Sequence, residues 1–80
     1  MEMYYVYLIR SLKSGIVYVG MAKNVERRLL EHNAGKSTYT KTQLPFELIY
    51  QEGPFDVKEA RIREKSLKKS DVKKRLLLKL

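Results

Sequence analysis

Apolar and polar positions repeat with two different periods along the 80 residues. The opening run "MYYVYLIR" is β-branched and aromatic, and it predicts a strand over Met3–Arg10. "SLKSG" at 11–15 is a cluster of turn-forming residues, and "IVYVG" at 16–20 predicts a second strand. So short a connection makes the two an antiparallel hairpin. The period then lengthens. Asn24 can cap a helix from Val25 to Asn33, whose apolar arc is Val25, Leu29 and Leu30, and Gly35 suits its end. "KSTYTKTQLP" at 36–45 is polar and reads as loop, whereas "FELIYQE" at 46–52 alternates and predicts a third strand. Asp56 followed by Glu59 has the spacing of a capping box, which opens a second helix running to Lys69. Ser70 or Asp71 then caps a short third helix through to the end. The order β-β-α-β-α-α predicts an α+β fold, a small three-stranded antiparallel sheet with helices packed on it.

Length and composition narrow the setting. Eighty residues are expected to form one domain, 1–80, with a thin core. There is no cysteine, so neither disulfides nor a thiolate zinc site can brace it. No apolar run is long enough to span a membrane, and the start does not read as a signal peptide, which leaves the cytoplasm as the default compartment. Charge says more. Seventeen Lys and Arg against nine Asp and Glu give a net charge of +8 and a pI near 9.8, a balance that favours an anionic partner, nucleic acid above all.

Candidate chemistry comes from where the polar side chains fall. Tyr5, Tyr7 and Ile9 share one face of the first strand; Ile16, Tyr18 and Gly20 share one face of the second. Pairing Arg10 with Gly15 sets Tyr7 directly opposite Tyr18. The plain reading is a tyrosine pair that steadies the hairpin. Arg28 and His32 stand four residues apart at the edge of the first helix, where an arginine ordinarily reaches to water and a histidine is ordinarily solvated. Both project towards the end of the second strand, where Gly20 lets backbone or ligand approach closely. On the second helix Glu64 sits within the stripe Val57, Ala60, Glu64, Leu67 that should face the sheet. A buried carboxylate is costly unless it is paired or bound to a cation. A neighbouring lysine or arginine can pair with it, or it can hold a divalent metal. Magnesium is content with one or two protein carboxylates, leaving room for water and phosphate oxygens.

"YVY" at 5–7, "YVG" at 18–20, the arginine and histidine of the helix that follows, and the later glutamate together resemble the GIY-YIG nuclease superfamily. The likeness is greatest to its short, stand-alone, single-domain bacterial members, in which the first signature reads Y-V-Y. "YVG…ERRLLEHNAGK", "T…P…L.Y" and "A…E…K" resemble them in order and spacing. The resemblance implies a metal-dependent endonuclease that hydrolyses DNA phosphodiester bonds with one Mg2+ or Mn2+ ion. The family's motif tyrosines fall on Tyr7 and Tyr18, its helix arginine on Arg28, the histidine of some members on His32, and its metal-binding glutamate on Glu64. Arg28 would then grip a phosphate oxygen. A phenol is a poor base at its ordinary pKa near 10, but a cation close by favours phenolate. Tyr18, Tyr7 and His32 all stay open as the base. Two positions depart from the family pattern: Met21 stands where some members carry lysine, and "KKSDVKKRLLLKL" has no asparagine.

Lys36, Lys41, Lys65, Lys68 and Lys69 are the candidate nucleic-acid contacts, extended by Lys73, Lys74 and Arg75. Such contacts are sensitive to salt and blind to sequence, so selectivity would come from DNA structure or from a protein partner. Two alternatives use the same scaffold without the chemistry. One is a nucleic-acid-binding module. The other is a protein-interaction adaptor, suggested by the apolar end "RLLLKL", although that segment reads more simply as closing the core.

Overall fold

The computed structural model describes residues 2–80. Its elements are β1 (Tyr4–Ser11), β2 (Val17–Ala22), α1 (Val25–Asn33), a short 3-10 turn (Lys41–Gln43), β3 (Phe46–Phe55), α2 (Val57–Leu67) and α3 (Ser70–Leu77). The order and the α+β class are as the residue pattern predicts. The sheet is antiparallel with β1 in the middle, in the order β2-β1-β3. A central strand covered on both faces needs apolar residues at successive positions. Val6, Tyr7, Leu8 and Ile9 are all buried.

The two faces hold separate cores. Val6 and Leu8 of β1 and Val19 of β2 pack with Ala60 and Leu67 of α2, and Val72, Leu76 and Leu77 of α3 close over them. Tyr7 and Ile9 point the other way, into a cluster with Val25 of α1 and Phe46, flanked by Tyr18, Leu29 and Leu44. The apolar end of the chain thus does close a core, with Leu78 and Leu80 left exposed.

Side-chain caps set the helix starts. Asn24 Oδ1 accepts from Arg27 N at 3.0 Å, and Asp56 Oδ1 accepts from Glu59 N at 2.8 Å. Gly35, with φ of 77°, ends α1: its N–H donates to the His32 carbonyl and Lys36 N to the Glu31 carbonyl, which is a Schellman closure. α3 differs from expectation. Lys69 occupies its cap position and no side chain caps it.

Three further expectations change. Tyr7 pairs with Gly20, and Tyr18 with Ile9, so the hairpin register is displaced by two residues. The cause is Ser11. Its Oγ accepts from Lys13 N and Ser14 N, both at 3.0 Å, and its N donates to the Ile16 carbonyl at 2.8 Å. That local turn extends the strands to Ser11 and Ile16 before the chain reverses. An even displacement preserves the faces, so the two tyrosines remain on the same side as diagonal neighbours. Leu30 is 71% exposed, outside the inner arc of α1. His32 takes the inward place instead, at 0% exposure, because it stands two turns beyond the buried Val25. Val57 is exposed at the first turn of α2, and Glu64 is half-buried rather than enclosed.

Candidate active site

Tyr7 enters the α1-side core from β1, directly across from Gly20. A Cβ at residue 20 would lie 2.5 Å from Tyr7 Oη and 2.6 Å from Cζ, so only glycine admits the phenol there. Behind it stands His32. Tyr7 Oη is 3.0 Å from His32 Nε2, and Thr40 Oγ1 is 2.8 Å from His32 Nδ1. The Tyr18 ring meets the imidazole edge-on with centroids 5.2 Å apart, and the Tyr7 ring does the same at 6.1 Å. One buried histidine therefore joins both strands of the hairpin to the 36–45 segment.

That segment is fixed on several sides. Asn33 at the end of α1 donates from Nδ2 to the Phe46 carbonyl at 3.0 Å and accepts from Phe46 N at 2.8 Å. Ser11 Oγ donates to the Gln43 carbonyl at 2.6 Å, and Leu12 N donates to the Pro45 carbonyl at 2.8 Å. Thr40, buried within it, is a component the residue pattern does not disclose: a threonine in a polar stretch carries no burial signal. Asn33 reads equally as an ordinary helix end.

Electrostatics tie the remaining residues to this centre. Burial pushes the Tyr7 phenol up to about 12, and the nearby Tyr18 and Glu64 push the same way, while the Arg28 guanidinium pulls it down. Burial lowers His32 below its usual value and the Arg28 charge adds to that, against a weaker opposing pull from Glu31. Arg28 is itself held. Its Nη1 donates to Glu31 Oε1 at 3.0 Å, an i, i+3 pair on α1, and its side chain is 40% exposed. The helix spacing was the available signal for Glu31. Glu64 approaches from α2, which packs against both β1 and β2. Its side chain is 23% exposed, and its Oε2 lies 3.6 Å from Lys68 Nζ. That separation is beyond a direct hydrogen bond, so the lysine neighbours the carboxylate without capturing its lone pairs. Arg28, Tyr18 and Glu64, from three further elements, thus all act on the Tyr7 phenol, and Arg28 acts on His32 as well.

The lysines divide. Lys36 lies close enough to help depress the Glu31 carboxyl, below the stronger effect of Arg28, which places it beside the site. Lys41 is exposed at the start of the 3-10 turn. Lys65 and Lys69 line an open groove of about 500 Å³ on α2 with Ile62 and Ser66, and Lys68 accompanies Glu64. A second cavity, of about 470 Å³, is lined by Arg10, Val17, Glu47, Ile49 and Leu77 among others and contains none of the five site residues.

A family model described as the GIY-YIG catalytic domain matches residues 3–76. The chain belongs to the GIY-YIG family. This is a family of nucleases, so the GIY-YIG domain implies a nucleic-acid substrate. Among curated proteins, a UPF0213 protein of Staphylococcus saprophyticus is 41% identical over 80 residues, covering 98% of this chain and 95% of the relative. A UPF0213 protein of Staphylococcus haemolyticus is 44% identical over 69 residues, covering 85% and 83%. One from Staphylococcus aureus is 37% identical over 79 residues, covering 98% and 95%. No solved structure matches the chain. No helix among the described residues is long and apolar enough to cross a membrane.

Proposed function

We propose that this GIY-YIG chain is a metal-dependent endonuclease that hydrolyses DNA phosphodiester bonds. What supports the reading is that two phenols contact one imidazole on a strongly basic chain, with the Arg28 guanidinium and the Glu64 carboxylate both acting on the Tyr7 phenol. Arg28, anchored through Glu31 yet partly exposed, presents a guanidinium to a phosphate oxygen. Tyr7, pushed up to about 12, stays protonated and serves as a fixed hydrogen-bonding hydroxyl. His32 has both ring nitrogens engaged inside the protein, which favours an orienting part over exchange with solvent. Tyr18, half-buried against the imidazole, is then the phenol left to take a proton from the attacking water.

Among the described residues no cluster of three or more His, Asp or Glu side chains forms a metal cage. A single hard-oxygen donor with uncommitted lone pairs does fit Mg2+ or Mn2+, which retain water and phosphate oxygens as their other ligands. Glu64 would hold that ion, whose charge polarises the scissile phosphate. Lys36 beside the site, with Lys41, Lys65, Lys68 and Lys69, would track the phosphate backbone without reading bases. Selectivity would come from flaps, nicks or single strands, or from a protein partner.

The test is a cleavage panel of labelled single strands, duplexes, flaps and RNA, with Mg2+ or Mn2+, for wild type and Glu64→Ala. Metal-dependent nicking of DNA should fall on the order of a hundredfold or more in the variant, the scale of removing one electrostatic stabiliser from a transition state. Equal cutting by both proteins overturns the reading. Salt-dependent binding with no cutting by wild type indicates the binding module, and no affinity at low salt indicates the adaptor.

A further inference from the structure

Tyr39 stands 85% exposed in a segment that is otherwise tied down. The next residue, Thr40, is buried, with its Oγ1 2.8 Å from His32 Nδ1. The backbone around them closes on itself. Thr40 N and Lys41 N both donate to the Ser37 carbonyl, at 3.3 and 3.0 Å, and Gln43 N donates to the Thr40 carbonyl at 2.9 Å. Ser11 Oγ then fixes Gln43, and Asn33 fixes Phe46. A phenol on a loose loop would be swept over many positions. This one is carried on a turn whose following residue is locked against the candidate active site, so its ring is presented outward at a defined place.

Two observations put that place beside the site. On one side of Tyr39, two hydrogen bonds of 2.8 and 3.0 Å lead from Thr40 through His32 to the Tyr7 hydroxyl. On the other, Lys36 is near enough to Glu31 to help depress its carboxyl, and Glu31 is the group that accepts from Arg28 at 3.0 Å. Lys36 and Lys41, both exposed, bracket the ring along the chain, and no carboxylate lies between 36 and 46 to repel a phosphate. A surface built for a protein would set apolar residues around the ring. Here "KSTYTKTQ" at 36–43 is polar apart from Tyr39. A ring between two ammonium groups instead matches an unpaired nucleic-acid strand, whose bases offer an open face and whose phosphates offer charge. A closed duplex offers only the charge, because its bases are stacked on one another.

We infer that Tyr39 is a stacking residue for an unpaired nucleobase beside the candidate active site, with Lys36 and Lys41 on the flanking phosphates. The strand held there is a single strand or the open arm of a flap. That a cut falls next to the stacked base rests on the nuclease reading; the stacking itself does not. A phenol ring accepts the face of any base, so the selection is of structure and not of sequence. The two chemistries then have separate parts. The lysines supply a salt-dependent attraction to every nucleic acid, and the ring supplies the preference for one that is open.

The chain has no tryptophan, so Tyr39→Trp sets a single indole at the turn. In EDTA its emission should be quenched by a single-stranded oligonucleotide and not by a closed duplex of the same sequence. Tyr39→Ala should weaken single-strand binding on the order of tenfold, hold duplex binding within about twofold and leave the salt dependence of both unchanged. Tyr39→Phe should bind as the wild type does. Lys36→Ala should weaken both forms alike and flatten their salt dependence. Replacing so exposed a side chain leaves the fold intact, which circular dichroism checks. An equal loss on both forms, no loss on either, a Tyr39→Phe as weak as Tyr39→Ala, or an unquenched indole overturns the inference. With Mg2+, Tyr39→Ala should raise KM for nicking of single strands and flaps on the order of tenfold with kcat held. A wild type that binds single strands through Tyr39 and cuts nothing defeats the nuclease reading and leaves the stacking residue standing.

Discussion

The two faces of one three-stranded sheet are built on opposite principles. Neighbouring residues of β1 point into different interiors. Val6 and Leu8 meet Val19, Ala60 and Leu67 in an apolar cluster. Tyr7 and Ile9 share theirs with His32 and Thr40, both fully enclosed. On the α2 and α3 side, stability scales with apolar area removed from water and tolerates some imprecision. On the α1 side each buried polar atom depends on one particular partner, and losing a partner costs more than the bond contributed. The α2 and α3 face keeps its polar groups at the margin, where Tyr50 and Arg63 both bond Glu52, and is dry at its centre.

The largest expected effect lies on the dry face. Leu67 is 1% exposed at the end of α2, and Leu67→Ala should lower unfolding stability by about 2–5 kcal/mol through lost transfer energy and the cavity left behind. Urea unfolding measures it, and nicking by the fraction still folded should be unchanged. A loss in nicking as large as the loss in stability would mean that the two faces are not separable.

Gly20→Ala probes the polar face with a single methyl group. The new Cβ would collide with the tip of the Tyr7 ring, which His32 holds from behind, so the phenol cannot swing aside without breaking that bond. The expected cost is about 1–3 kcal/mol, smaller than for Leu67→Ala, with nicking reduced out of proportion to stability. If stability falls and activity does not, Tyr7 has no part in the chemistry.

Periodicity made the elements legible, because a strand or helix covered on one side must repeat its apolar residues at 2 or 3.6. The shared face of Tyr7 and Tyr18 was legible for the same reason, and it survives the two-residue register displacement because parity does. The register itself was not. It is set by one serine hydroxyl that accepts two backbone N–H groups, and turn propensity does not reveal such a bond. Spacing alone sets His32 at the edge of the arc of Val25, Leu29 and Leu30, where a histidine is ordinarily solvated. The outcome was decided by Thr40, eight residues away, and by Tyr7 on another strand. The partial exposure of Glu64 likewise depends on how α2 crosses β1 and β2, a tertiary matter. Local pattern reports faces; it does not report which remote partner makes a polar group tolerable inside.

The smallest effect is the most direct measure of the contrast between the faces, because it asks what an enclosed imidazole costs when it is asked to charge. Burial, helped by Arg28 and opposed by Glu31, lowers the His32 pKa in the folded chain below the 6.5 expected when unfolded. Between the folded and unfolded values the unfolded chain binds more protons, so stability must rise with pH there. Conversely, acidification below 6.5 should erode stability until the folded pKa is passed, with a limiting slope of about 1.4 kcal/mol per pH unit for one proton. Above 6.5 this residue contributes no slope. Tyr7, which bonds the ring, is pushed up to about 12 and does not change charge in this range. Glu31, held below its ordinary 4.5 chiefly by Arg28, adds its own slope below that value, so the interval between there and 6.5 is where the His32 slope is sought. Urea midpoints of wild type and His32→Gln across that interval make the measurement: the wild type should slope and the variant should be flat. A flat wild-type curve would mean that His32 charges as readily inside as in water, and that the α1 face is no less forgiving of charge than the surface.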